Sequence, residues 1–358
     1  MKNIRSIHFS KENKNKFDKK NKKGVIEVQF NWIFILIAGF VIFIFIIGII
    51  FSQKSNAEKQ STIQISNQII TLLKGKQQTA DVYSEINFPH ASINFRCEMI
   101  ENASYFSFKI DGSDRVVLPT EVIFAPKDIT TDKLIVWTQA FNLGFPINIF
   151  SYITTSDIII LIINDSNTDT YYAKELSENI PSNITHHVID MTDLNNYVSN
   201  KNKKVVCFAD NCNNIPIGYD YIEITPSSYQ SDLFSYGNIT FRKSGLSVTP
   251  EPLPYIAKAG LLGAIFSDTK DYYYCQMSRA MNHYEIKRDL TERRLVMIQN
   301  DTSNNNCKQK INITLVQNIK PYENIIFNYI NITSLYKNTI DLDIRNSDLT
   351  LSSCPKLY

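Results

Sequence analysis

The feature that most constrains this chain is an uncharged apolar run from Trp32 to Phe51, WIFILIAGFVIFIFIIGIIF. A helix of about 20 residues spans the roughly 30 Å hydrocarbon core of a bilayer, and a Trp at its end suits the headgroup level. A cleaved secretory signal has an apolar region of only about 7–15 residues, followed by small residues. Here Ser52-Gln53-Lys54-Ser55 follows. The run therefore predicts one uncleaved transmembrane helix.

The charges beside this run predict its direction. The first 23 residues carry nine Lys or Arg against two acidic residues, whereas the chain as a whole has a net charge of only +2. Basic flanks stay in the cytoplasm. Residues 1–24 are thus expected to be a cytoplasmic basic tail, and the part after the span to lie outside the cell membrane. The expected partners are the lipid bilayer and other membrane or surface proteins, and the small net charge gives no reason to expect nucleic acid.

The remaining pattern predicts an α/β chain, α+β overall, in four further segments. Residues 25–78 read as the transmembrane helix and a stalk. The stalk has an apolar stripe that could pack on the domain or on a neighbouring copy, and its residues are Ile63, Ile65, Ile69, Ile70, Leu72 and Leu73. Residues 85–156 contain short alternating runs and an Asp111-Gly112 turn signal, which favour a small antiparallel β region.

Residues 157–250 predict a Rossmann-like α/β domain with a parallel sheet. The apolar run 158–163, the helix candidates 171–180 and 192–199 and the short runs 187–190, 205–208 and 221–224 alternate as βαβ units do. Residues 238–241 and 246–248 resemble a hairpin. From 251 to 358 we expect helices at 256–266, 270–299 and 311–340.

All six cysteines follow the membrane span, which favours disulfides over free thiols or a metal site. Cys207 and Cys212 are expected to pair across a short loop. Cys275 is expected to pair with Cys307, which leaves Cys97 and Cys354; a Cys307–Cys354 pair is the alternative.

Three acidic residues are candidates for chemistry because ligands of parallel sheets bind at the carboxyl ends of strands. Asp165, Asp190 and Asp210 each follow a predicted strand and would suit Mg²⁺ or acid–base work if they converge; ordinary loop and helix-cap use is the simpler interpretation. The chain has no GxGxxG, GxSxG or HExxH motif. Of the adjacent His186 and His187, one is expected to be buried and one exposed. No cofactor is expected.

Asn-x-Ser/Thr sequons after the span are candidate glycosylation sites on an exported domain. The candidates are Asn102, Asn183, Asn238, Asn312 and Asn331, with further sequons at Asn164 and Asn300.

The stretch KKGVIEVQFNWIFILIAGFVIFIF, with Gly263-Ala264-Ile265-Phe266-Ser267 and Ser353-Cys354-Pro355, resembles a group of uncharacterised membrane-anchored proteins from small-genome archaea. That resemblance implies no activity. The N-terminus is also similar to type IV pilins, through Lys22-Lys23-Gly24 followed by Glu27. It departs from them because Glu27 is the third rather than the fifth residue after the glycine, and because the apolar run begins only at Trp32.

Three hypotheses follow. The first is a structural or interaction role at the cell surface with no evident catalysis. The second is an exported enzyme or ligand-binding protein that uses the three Asp residues, which requires their carboxylates to meet in one pocket and fails if they are scattered. The third is a pilin-like assembly subunit processed at Gly24.

Overall fold

The computed structural model describes residues 21–76, 79–100, 103–111, 113–164, 171–199, 201–208, 212, 215–227, 233, 235–243, 250–300, 307 and 329–356. Residues 1–20 of the predicted basic tail lie outside them. Contacts divide the chain into two units, 1–61 and 62–358. Both predicted sheets and the C-terminal helices belong to the second unit.

Helix α1 (Asn21–Lys76) begins in the first unit and carries the predicted span. Among the described residues it alone is long and apolar enough to cross a membrane, and its most apolar window has a mean hydropathy of 3.4 and is not buried. The large side chains from Trp32 to Phe51 are exposed. Such a surface is stable where lipid or another apolar surface covers it.

Sheet A confirms the predicted antiparallel β region. Its strand order is β3-β2-β1-β5-β6-β4, and all neighbours are antiparallel except β4 and β6. The strands are β1 (Tyr83–Ile100), β2 (Ala103–Ile110), β3 (Val116–Leu118), β4 (Ile123–Phe124), β5 (Asp128–Asn142) and β6 (Pro146–Thr155). Alternation along β5 places Ile135 and Trp137 in one apolar core, and Leu134 and Val136 in another.

The last turns of α1 cover one of these two cores. Ile65, Ile69 and Leu73 recur every four residues and are buried in the cluster that contains Phe95 and Phe106 of sheet A. The stripe predicted from the sequence thus fixes the stalk end of α1 to the folded domain.

Sheet B confirms the predicted parallel sheet. Its order is β12-β11-β10-β9-β7-β8; β8, β7, β9 and β10 are parallel, and β11 and β12 are antiparallel additions. The strands are β7 (Ile158–Ile163), β8 (His186–Ile189), β9 (Asn202–Phe208), β10 (Asp220–Pro226), β11 (Tyr236–Lys243) and β12 (Leu253–Ile256). Helix α2 (Tyr171–Asn179) lies between β7 and β8 in the chain.

One predicted element of this region is wrong. The helix expected at 192–199 is only a 3₁₀ turn, Met191–Asp193, because Asp193, Asn195 and Asn196 favour turns over helices. The hairpin partner expected at 246–248 lies outside the described residues, within which β11 pairs with β10 and β12.

The C-terminal region opens on strand β12 rather than on a helix. Its Pro254 is tolerated because β12 is the edge of sheet B. Three helices follow within the described residues: α3 (Ala257–Phe266), α4 (Lys270–Asn300) and α5 (Tyr329–Leu351). The helix predicted at 311–340 is seen only from Tyr329 onward, since 308–328 lie outside the described residues.

Helix α3 lies between the two sheets. It contacts β4, β5 and β6 of sheet A and β11 and β12 of sheet B, and Ala259 to Phe266 are all buried. Phe266 packs against Trp137 and Tyr152, with ring centroids 6.1 and 5.2 Å apart. An apolar helix without a polar face fits this position, and the resulting core joins both sheets with α4 and α5.

A polar face of α4 holds the chain between β3 and β4. Tyr272 donates its hydroxyl hydrogen to the carbonyl oxygen of Ile123 at 3.0 Å. The backbone N–H of Ile123 donates to the Gln276 side-chain oxygen at 3.1 Å. Arg279, only 2% exposed, donates to three carbonyl oxygens, those of Leu118, Pro119 and Glu121, at 3.0, 2.7 and 2.9 Å. Burial lowers the pKa of Arg279, and the Glu121 carboxylate opposes that shift. The guanidinium thereby satisfies carbonyl groups that sheet A leaves unpaired.

The structure forms three disulfides, Cys97–Cys275, Cys207–Cys212 and Cys307–Cys354. The expected Cys275–Cys307 pair is wrong, and so is the leftover pair of Cys97 with Cys354. Cys275 lies where α4 contacts β1, and the 25 residues from there to Asn300 extend about 38 Å in a helix. A disulfide needs Cα atoms within about 7 Å, so Cys307 pairs near the end of α5 instead.

The packing of α3 against sheet A predicts that Gly263→Ala destabilises the chain. A Cβ atom at Gly263 would lie 2.7 Å from the ring of Phe124, and overpacking of this kind costs about 1–3 kcal/mol. Denaturant unfolding of the full chain in detergent, followed by the fluorescence of buried Trp137, measures the loss.

Gly260→Ala on the same helix is the matched control. Its Cβ would meet Met277 at an ordinary 3.5 Å, so the gain in helix propensity, up to about 1 kcal/mol, should dominate. Equal midpoints for the two variants would contradict the close contact of Gly263 with Phe124.

Candidate functional site

The strands that precede the three candidate aspartates are neighbours in sheet B. β8, β7 and β9 are adjacent and parallel, so their carboxyl ends share one edge of the sheet. There the Oδ1 atom of exposed Asp190 accepts a hydrogen bond from Asn164 Nδ2 at 3.0 Å. Asp165 and Asp210 lie outside the described residues. A shared acidic site therefore stays a prediction, with Asp190 and Asn164 as its described part.

The Cys207–Cys212 disulfide lies at the same edge. Cys207 is the penultimate residue of β9, and the side chains of both cysteines are buried. Because Cys207 is bonded, it is not a nucleophile in this structure. The disulfide closes the chain that leaves β9 and so shapes the edge where the acidic candidates were predicted.

The histidines do not add a reactive group to this edge. His187 is exposed as expected, but His186 is only half-buried, with Nδ1 2.7 Å from the carbonyl oxygen of Ile184. His283 lies elsewhere, on α4, with Nδ1 2.6 Å from Asn148 Nδ2; burial, and then Arg279, lower its pKa. Among the described residues no three His, Cys, Asp or Glu side chains form a group suited to a metal ion.

A larger feature lies at the opposite edge of sheet B, where β9 and β10 begin. It is a cleft of about 700 Å³ between this edge, residues 126–128 of sheet A and the connection from α3 to α4. Charged side chains dominate its lining: Lys127, Asp128, Lys203, Lys204, Asp220, Arg242, Lys243, Asp268, Lys270 and Asp271. We refer to it as the charged cleft.

Lys204 and Asp268 form the floor of the charged cleft. Lys204 Nζ donates to the Ser267 carbonyl oxygen at 2.6 Å and to Asp268 Oδ1 at 3.1 Å, and its side chain is 14% exposed. The other oxygen of Asp268 accepts from the backbone N–H of Lys127 at 2.8 Å. Burial lowers the pKa of Lys204, and Asp268 opposes this shift. One ion pair thus connects β9, the start of α4 and sheet A.

Three further cations of the charged cleft have carboxylate partners. Arg242 pairs with Glu223, Lys243 lies 3.9 Å from Asp220, and Lys270 lies 3.5 Å from Glu251. Ser267 donates its hydroxyl hydrogen to the Gly263 carbonyl oxygen. Side chains held in this way suit the binding of polar groups.

The sequence did not lead us to predict the charged cleft, because we expected ligands only at the carboxyl ends of strands. The basic pairs Lys203-Lys204 and Arg242-Lys243 at strand termini were the available signal. A second, open groove of about 640 Å³ lies beside the stalk end of α1. One wall carries amide side chains of α1, such as Gln64 and Asn67, and Ile86 of β1 lines the other.

The sequons occupy different environments. Asn183 is exposed in a turn and Asn300 at the end of α4, whereas Asn238 is half-buried within β11, which is paired on both sides. Asn102 and Asn312 lie outside the described residues, as does the side chain of Asn331. Glycosylation stays a prediction, and among the described sequons Asn183 and Asn300 are exposed.

The floor of the charged cleft predicts that Lys204→Met lowers the free energy of unfolding by about 1–3 kcal/mol. The substitution leaves the Ser267 carbonyl and Asp268 without their donor. Lys174→Met is the control, because Lys174 is exposed and its ion pair with Glu178 at 3.8 Å should contribute at most about 0.5 kcal/mol. Equal midpoints in denaturant unfolding would show that Lys204 does not connect the two sheets.

The chain was compared with protein-family models, curated proteins and solved structures. None of the three comparisons finds a match. The arguments about its function therefore rest on its own residues.

Proposed function

We propose that this chain is a single-pass membrane protein that displays its α/β domain outside the cytoplasm, where the domain has a structural or interaction role. The observation that carries the proposal is the combination of one exposed apolar helix with disulfides in the domain that follows it. Disulfides persist in oxidising compartments, and the Lys-rich leader favours a cytoplasmic N-terminus.

The interaction role is supported by the lining of the charged cleft. Four of the six cations that line it are paired with carboxylates, Lys204, Arg242, Lys243 and Lys270, and such fixed charges suit contacts with the polar groups of a partner. The acidic strand-end hypothesis concerns the other edge of sheet B and is independent of this support.

Antibody access to terminal epitope tags on intact cells tests the direction. A tag after Tyr358 should be accessible without permeabilisation, whereas a tag before Met1 should need it, because the basic leader remains inside. Replacing five leader lysines by Glu, at positions 16, 19, 20, 22 and 23, should raise the fraction with inverted direction. An accessible N-terminal tag in the unsubstituted chain would refute the proposed topology.

A pilin-like assembly subunit is the second candidate. It is favoured by the continuity of α1 over 56 residues, from an apolar half to a stripe that packs on the folded domain. Pilin-like processing after Gly24 would leave a mature chain that begins at Val25.

Intact-mass measurement of the chain purified from membranes decides between the two candidates. The anchored surface protein should retain residues before Val25, and a loss equal to residues 1–24 would favour the assembly subunit. Gly24→Leu serves as the control. It should prevent the loss of residues 1–24 if the chain is processed, and it should change the mass of an unprocessed chain only by the substitution itself.

A further inference from the structure

The C-terminal half of α4 leaves an apolar stripe exposed to solvent. Ile286, Leu290 and Met297 are 56–72% exposed. They recur at intervals of four and seven residues, so they share one face of the helix. Leu295, which is buried in the core, lies on the opposite face. Exposed apolar stripes of this kind mark interaction surfaces.

Helix α5 carries a second stripe with the same spacing. Ile340, Ile344 and Leu351 are 39–85% exposed and again recur at intervals of four and seven. Leu342 and Leu349 on the opposite face are buried in the core. Each helix therefore packs with one apolar face and leaves another uncovered.

Two charged residues on one side of each stripe differ in sign between the helices, whereas other exposed charges near the stripes, such as Asp289 on α4 and Lys337 on α5, do not belong to these pairs. On α4 the flanking residues are Lys287 and Arg294, seven residues apart; on α5 they are Asp341 and Asp348, also seven apart. All four are exposed. In each helix the first flanking residue directly follows the first apolar residue of the stripe. The charged pairs thus occupy equivalent positions on the two helices.

We propose that these stripes bind a second copy of this chain, with α4 of one copy packed antiparallel against α5 of the other. Because the spacing is the same, the charged pair lies on the same side of the stripe in both helices. Facing helices bring these equivalent sides together when they run antiparallel. Lys287 then lies opposite Asp348, and Arg294 opposite Asp341.

The two stripes of one chain do not fit each other without unpacking. Both helices are fixed to the turn between β5 and β6: Tyr284 of α4 stacks on Phe145 at 5.3 Å, and Gly144 contacts Thr339 and Leu342 of α5. Each stripe faces away from this shared core. Pairing within one chain would require one helix to give up its buried face.

Charge also separates a second copy from other occupants. Pairing α4 with α4 would bring Lys287 and Arg294 against like charges. An anionic lipid surface complements α4 but repels the flank of α5. A second copy offers each stripe an apolar face with the opposite flanking charge. The inference goes beyond the proposed anchoring and does not require it, since both stripes lie in the second unit.

Charge exchange tests the pairing in the full chain purified in detergent. Light scattering of the protein–detergent complex should give a protein mass of twice 41.2 kDa. The variants Lys287→Glu/Arg294→Glu and Asp341→Lys/Asp348→Lys should each weaken association about tenfold, and the chain that carries all four substitutions should recover it. Lys174→Glu/Glu178→Lys on exposed α2 is the control and should leave association unchanged.

Cysteine cross-linking between two differently substituted copies tests the direction. Mixed copies that carry only Ile286→Cys or only Leu351→Cys should form a disulfide-linked heterodimer, because antiparallel helices place these positions together. Ile286→Cys with Ile340→Cys should not. The mass of a single chain at all concentrations would overturn the proposal. It would mean that something other than a second copy, such as residues 308–328 or lipid, covers the stripes. Association that ignores all charge reversals would overturn it as well.

Discussion

The burial of Ala259 to Phe266 in α3 is the constraint on which the fold of residues 62–358 depends. A helix with no polar face is stable only when apolar surfaces enclose it, and here sheet A and sheet B supply those surfaces from opposite sides. Gly263 lets the ring of Phe124 approach the helix backbone. Because one helix fills the space between both sheets, the β region and the α/β region share a core and cannot be regarded as independent modules.

The charged cleft follows from this arrangement. Where α3 ends, the chain emerges between the two sheets and must turn into α4, and polar backbone groups are exposed there. Lys204 and Asp268 satisfy them and join the two sheets by an ion pair. The cleft therefore lies at the junction of the two sheets as well as offering room for a ligand.

Local patterns predicted most of the elements. Composition and periodicity over neighbouring residues were enough to predict the apolar run 32–51, the buried strand 158–163 and the helix from Lys270. Features that depend on distant residues were missed. Strand β12 exists because β11 offers it an edge, Cys275 pairs with Cys97 because α4 contacts β1, and the charged cleft gathers side chains from six separate segments. Of the acidic candidates, the structure describes only Asp190.

The Cys97–Cys275 disulfide has a consequence for how the chain matures. If the domain is exported behind a cytoplasmic N-terminus, its residues emerge in chain order, and Cys97 meets oxidants before its partner, which follows 178 residues later. Cys207 and Cys212 arrive in between, only five residues apart, so each is the other's nearest thiol. Early capture of Cys212 by Cys207 removes both as competitors for Cys97. Cys97 of sheet A then stays reduced until α4 has emerged and Cys275 can form the disulfide with it.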